Sequence, residues 1–186
     1  MNGFQKSGLA LCGLLAFTFS VSAATPPVTS LQQLTFFSES YPPANYLENK
    51  MPRGYSVDVL RQAASIVGTN IKDEQIVIQP WPRSYRATLT HDDAALFSTT
   101  RTEHREHLFQ WAGPIADIKA VVMARVDSDI VINDPIDMAN YRIGVIRDDV
   151  GEQMLLELGV PREAMQEANY VTQLAEQLMK KRIDLL

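Results

Sequence analysis

The 186 residues carry 17 basic and 22 acidic side chains, a formal charge of −5, and no basic block, which argues against a nucleic-acid partner. The single cysteine, Cys12, excludes a disulfide framework and a cysteine-built metal site. The length suffices for one good core or two small lobes.

Met1–Lys6 holds one positive charge, Gly8–Phe19 is apolar, and the small residues Val21-Ser22-Ala23-Ala24 precede Thr25-Pro26-Pro27. This is the three-part pattern of a secretory signal peptide over residues 1–24. The apolar run is too short for a spanning helix, which needs about twenty residues. Cys12 follows Leu11, which is not the small residue that lipid attachment needs. Cleavage after Ala23 or Ala24 leaves an exported, periplasmic chain without cysteine and one unit more negative. No second long apolar run follows.

Leu34–Phe37 reads as a strand, followed by a loop from Ser38 to Pro43 and a turn at Met51-Pro52-Arg53-Gly54. Ser56 opens a helix with Val57, Leu60, Ala64 and Val67 on one face, and Gly68 stops it. Gln75–Ile78 is the next strand. Pro82 suits the first turn of a helix running to about Leu89. Ala94–Phe97 is a third, buried strand. The β-α-β-α-β alternation predicts an α/β fold with a mostly parallel sheet under helices.

Trp111-Ala112-Gly113-Pro114 reads as a crossover, and Ala120–Ala124 as a strong strand. After the polar stretch Asp127–Asp134 the alternation restarts with a strand at Tyr141–Ile146. Asp149 caps a helix that turns Met154, Leu155 and Leu158 inward and ends at Gly159. Tyr170-Val171 reads as a short strand, and Thr172 caps a helix with Leu174, Leu178 and Met179 inward. Ile183–Leu186 begins a further strand. Residues 25–113 therefore read as a first lobe, and 114–186 as a hinge crossover with part of a second. A strand started at the last residues makes the second lobe incomplete and the chain the front of a longer protein.

In an open parallel sheet, ligands sit beyond the carboxyl ends of the strands. Three segments fall there: Ser38–Tyr46, Trp81–Arg83 and Ser98–Glu106. They bring aromatics, hydroxyls and arginines to one edge, which suits a small polar molecule.

Four motifs carry a family resemblance: Tyr41-Pro42-Pro43, Gly54-Tyr55-Ser56-Val57-Asp58, Thr100-Arg101-Thr102-Glu103-His104-Arg105-Glu106 and Arg182-Ile183-Asp184. With them, from about Leu34 to Leu186, the chain resembles the family-3 extracellular solute-binding proteins, receptors of polar amino-acid ABC importers. The resemblance implies a type II periplasmic-binding-protein fold, two α/β lobes that close on ligand like a clamshell. It assigns the ligand's α-carboxylate to Arg105, whose planar guanidinium fork matches a carboxylate and stays charged. Ser98 and Thr100 help to hold the ligand, and Tyr41 packs on its side chain. The residues alone leave a plainer alternative for Arg105, a surface ion pair with Glu103 or Glu106. Trp81 is either core wall or stacking platform.

In the second lobe the resemblance places Asp149 and Val150 at the ligand, where family members have a Gly-Thr-Thr-like turn whose amides meet the carboxylate. Arg147-Asp148-Asp149-Val150 departs from that turn. Asp149 is then either a helix cap or a preference for a ligand with a cationic group. His91, His104 and His107 form no metal-ligand pattern, so no metal and no cofactor are expected.

The implied function is periplasmic binding of a small carboxylate-bearing solute, an amino acid or related compound. Delivery is to an ABC permease of the inner membrane, with the receptor acting as a monomer and not as an enzyme. The alternatives are a sensing module for a signalling protein, a dehydratase on the same fold, and a truncated fragment without function. The dehydratase would need an acid or base over the cleft, which the sequence does not offer. Arg105→Ala is expected to abolish binding and leave the melting temperature nearly unchanged.

Overall fold

The computed structural model describes residues 28–186; the stretch read as a signal peptide, residues 1–24, lies outside the described residues. The first lobe is built on a parallel sheet in the order β4-β1-β5, from Thr35–Ser38 (β1), Ile76–Ile78 (β4) and Ala94–Leu96 (β5). β1 is central, pairing Phe36 with Ile76 on one side and with Ala95 on the other. Two helices link these strands: α1 (Tyr55–Ile66) before β4 and α2 (Trp81–Thr90) between β4 and β5. Phe36, Val57, Ala64, Ile71, Ile76 and Phe97 close the core under α1. Non-polar surface removed from water at about 25 cal/mol per Å² is the main force holding such a layer together.

The segment read as a turn at Met51–Gly54 is the second arm of a hairpin, Tyr46–Glu48 (β2) with Met51–Arg53 (β3). Asn49 and Lys50 both take positive φ, 51° and 66°, as a two-residue hairpin loop requires. Proline in β3 conceals the strand from a propensity reading; it is tolerated because β3 has only one neighbour. Gly54 then turns the chain into α1 at φ 115°, and a Cβ there would run into the Ala44 carbonyl.

The second lobe pairs Ile143–Ile146 (β6) in parallel with Met165–Ala168 (β7), with α3 (Val150–Glu157) and α4 (Val171–Met179) alongside. β6 is buried along its whole length. Met138, Ile143, Val145, Leu155, Val160 and Leu185 form its core. A third cluster, Trp81, Tyr85, Ile146, Leu174, Leu178 and Ile183, joins α2 of the first lobe to α4 and β6 of the second.

Several expectations change. Ala120–Ala124 is not a strand: Met123 exchanges backbone hydrogen bonds with Leu186, Ala124 bridges Leu185, and Val121, Val122 and Met123 stay exposed. β-prone residues make a strand only where a neighbour supplies a ladder. Ile183–Leu186 likewise forms single bridges, although Ile183 and Leu185 are buried. The short strand lies at Met165–Ala168 and not at Tyr170-Val171, and Tyr170, not Thr172, caps α4. Gln166 and Glu167 hide β7 from a hydrophobic-pattern reading; pairing with β6 makes it. Met154, Leu158 and Met179 are exposed. In α3 the buried partner of Leu155 is Glu152, which accepts the Asp148 amide at 2.7 Å and pairs with Arg162. A carboxylate so satisfied can take a position that pattern reading gives to an apolar residue.

Candidate functional site

The chain leaves β1 through Ser38, whose hydroxyl donates to the Phe97 carbonyl at 3.1 Å while its own carbonyl accepts from the Ser84 hydroxyl at 2.9 Å. These two bonds fix the carboxyl ends of β1 and β5 against α2. Glu39 follows directly. Its carbonyl accepts from Asn45 Nδ2 at 2.5 Å, inside the tight turn that pairs Tyr41 with Asn45. At the end of β5 the chain turns through Ser98, at φ 58°, whose hydroxyl lies 3.2 Å from that of Ser56 at the start of α1. From there it runs through Thr100 to Arg105.

Arg105 is fully buried, with 0% of its surface exposed. Its guanidinium carbon lies 5.0 Å from the Trp81 ring centroid and 5.1 Å from that of Tyr85. The two rings stack on each other at 5.4 Å, four residues apart on α2. Cation–π attraction of this kind is strongest where water is excluded. Nη1 donates to the Thr100 carbonyl at 3.2 Å and Nη2 to the Asp148 carbonyl of the second lobe at 3.0 Å. Nε, also buried, has no partner among the described residues. Among the described residues no carboxylate pairs with Arg105. Glu106 is taken instead by Arg101, whose Nε donates to it at 2.7 Å, so the surface ion pair belongs to Arg101.

The second lobe meets this group through the turn Arg147-Asp148-Asp149 between β6 and α3. Trp81 Nε1 donates at 2.9 Å to the same Asp148 carbonyl that Arg105 engages. Asp149 stands at the N-cap of α3 in extended backbone, without a side-chain cap bond. Burial pushes its carboxyl up, against the pull of the Val150 amide and Arg105. Burial also pushes the Glu39 carboxyl up to about 7; Asp149 adds to the rise and Arg105 opposes it. Burial lowers the Arg105 pKa, and Asp149 leads the groups that hold it up. The group is one guanidinium on an aromatic floor with two carboxyls that ionise reluctantly. A zwitterion complements that set: its acid meets the guanidinium, and its amine relieves the carboxyls.

Of the residues named from sequence, Trp81, Arg105 and Asp149 come together here. Trp81 is core wall, buried at 2% exposure, with its ring against Tyr85 and the Arg105 guanidinium. Val150 follows Asp149 directly as the first residue of α3. Thr100 contributes its backbone carbonyl, and it is the neighbouring Thr99 hydroxyl that is buried without a partner among the described residues. Ser98 and Tyr41 face solvent, Tyr41 with 56% of its surface exposed. Sequence reading missed Glu39 and Tyr85. Tyr85 carried a usable signal, its position one helical turn after Trp81. Glu39 carried only its place one residue past a strand.

The described residues resemble known structures. The arginine-bound form of truncated ArgBP from T. maritima matches with a TM-score of 0.67 at 21% identity, over 82% of this chain and 72% of that one. A histidine kinase sensor domain with similarity to periplasmic binding proteins matches with a TM-score of 0.72 at 18% identity, over 83% and 67%. The ancestral amino acid-binding protein AncCDT-1, a precursor of cyclohexadienyl dehydratase, matches with a TM-score of 0.68 at 16% identity, over 82% and 69%. At these identities the likeness establishes the type II periplasmic-binding-protein fold. No curated protein matches the sequence. The model of the bacterial extracellular solute-binding proteins, family 3, matches residues 35–185. The chain belongs to the bacterial extracellular solute-binding proteins of family 3.

Proposed function

We propose that this protein binds a small amino-acid-like solute between its lobes in the periplasm, as a monomer, and delivers it to an ABC importer. The observation that carries the reading is Arg105: buried, held on Trp81 and Tyr85, and turned to the second lobe with a backbone carbonyl as its acceptor. A ligand carboxylate is a better acceptor for a guanidinium than a carbonyl, because both partners are charged and the fork binds two oxygens. Binding exchanges the Asp148 carbonyl for that carboxylate as the lobes part slightly and close again. Glu39 and Asp149 then face the ligand's amino group. In this role Glu39 is a counter-charge, so no covalent step is needed. An arginine-bound relative of the same fold supports a cationic amino acid.

Calorimetry of the purified protein against the common amino acids and small carboxylates is the test. Micromolar binding of one class, removed by Arg105→Ala, supports the proposal. Binding that survives this change rejects Arg105 as the anchor, and turnover of a bound aromatic-amino-acid precursor rejects the receptor role in favour of a dehydratase. A second reading, a sensing module, draws support from the histidine kinase sensor domain of like fold. A signalling partner encoded beside this protein, in place of permease and ATPase subunits, favours it.

A further inference from the structure

A second concavity lies away from Arg105. Arg83 and Arg86, on the outer face of α2, wall one side together with His91; Arg147 and Asn169, at the carboxyl ends of β6 and β7, wall the other. The cleft holds about 470 Å³, and among the described residues no acidic side chain lines it. Among the described residues, Arg83 and Arg86 pair with no carboxylate within 4.0 Å. Arg147 does have a partner, Glu167, which accepts from its Nε at 2.5 Å but does not line the cleft. Three guanidiniums thus surround one small space on a chain whose net charge is −5.

Gathering like charges in a concavity costs Coulomb energy that solvent screens only in part. A multiply charged oxyanion reverses the sign of that cost. Guanidinium forks match the spacing of phosphate oxygens, and Asn169 adds an amide donor. The space is in the range of small-molecule sites, roughly 300–1,000 Å³.

We propose that this cleft binds a phosphate-type oxyanion across the two lobes, with Arg83 and Arg86 contributed by the first and Arg147 by the second. The site is separate from the Arg105 group, which does not line it. Occupancy ties α2 to the end of β6, the strand that leads into Asp148. It therefore favours the arrangement in which the lobes meet. The phosphate is either free or the headgroup of an anionic lipid at the membrane surface.

The probe for the first source is inorganic phosphate, titrated calorimetrically against sodium chloride of matched ionic strength. The probe for the second is co-sedimentation with phosphatidylcholine vesicles with and without phosphatidylglycerol. Saturable phosphate binding, weakened about tenfold or more in Arg83→Gln/Arg86→Gln, is the expected result for charge-assisted contacts of this strength. The charge-retaining variant Arg83→Lys/Arg86→Lys should keep part of it and fold as the parent does by circular dichroism. Binding only to phosphatidylglycerol vesicles, lost in the Gln variant, assigns the same chemistry to lipid. Phosphate no better than chloride together with no vesicle binding overturns the proposal, and so does binding that the Gln variant leaves intact. Amino-acid titrations should be unchanged in both variants; loss of both activities together would merge the cleft with the Arg105 site and end the claim of a separate one.

Discussion

Arg105 and Asp148 meet across the two lobes, the guanidinium Nη2 donating to the Asp148 carbonyl oxygen at 3.0 Å. Trp81 Nε1 donates to the same oxygen at 2.9 Å. One acceptor of the second lobe therefore holds two donors of the first. Asp148 takes a left-handed φ of 58°, which aspartate tolerates better than most residues. Its amide is held by Glu152 at 2.7 Å, so the carbonyl sits in a fixed turn.

Arg105→Ala should abolish solute binding. It should also lower stability by about 1–3 kcal/mol, since two hydrogen bonds to a charged donor and the contacts with Trp81 and Tyr85 are lost together. This corrects the expectation of an unchanged melting temperature, which suits a surface arginine and not a fully buried one. Chemical denaturation measures it; a variant as stable as the parent would mean that the burial of the guanidinium costs as much as its contacts return.

Trp81→Phe keeps the aromatic floor and removes one donor to Asp148. Hydrogen exchange at Asp148–Val150 should accelerate several-fold, in line with about 1 kcal/mol for a neutral hydrogen bond. Unchanged exchange there would show that Arg105 alone holds the turn.

Glu39 sets a pH dependence. Its carboxyl is raised from 4.5 to about 7 in the folded protein, so between these values the native state holds a proton that the unfolded chain has lost. Its contribution is therefore fully favourable below about 4.5 and is lost as pH rises through 7. The cost above 7 is on the order of 3 kcal/mol, at about 1.4 kcal/mol per pKa unit. Asp149 is raised as well and acts in the same direction. Glu39→Gln should raise the urea midpoint at pH 8 and flatten its decline from pH 5 to 8. A Gln variant that declines as steeply as the parent would place the titrating group elsewhere.

Gly54→Ala should cost at least about 2 kcal/mol, because φ 115° is closed to a residue with a Cβ and the added atom strikes the Ala44 carbonyl. The hairpin and the start of α1 both hang on this turn. A thermal melt within a degree or two of the parent would contradict it.

In the first lobe α1, α2 and the strands β1, β4 and β5 were legible because each carries a local signal. Those signals are apolar periodicity on α1, Pro82 at the start of α2, and short apolar runs for the strands. β7 and β3 were not legible. One is polar at its centre and the other contains a proline, so each becomes a strand only through its pairing, β7 with β6 across the length of α3 and β3 with β2 across a two-residue loop. Ala120–Ala124 failed in the opposite sense, having the composition of a strand without the ladder.

By itself, the sequence determined the α/β class; it also raised the expectation of export from residues 1–24 and pointed to Arg105 through its motif. Only the tertiary structure decided what surrounds Arg105. Trp81 and Tyr85 reach it from α2, Glu39 stands past β1, and the Asp148 carbonyl comes from 43 residues further along the chain. The physical reason is range. Helix periods and turn residues act within a few positions and are written locally. Burial, a raised carboxyl and a bond between lobes arise only when distant segments exclude water from one another.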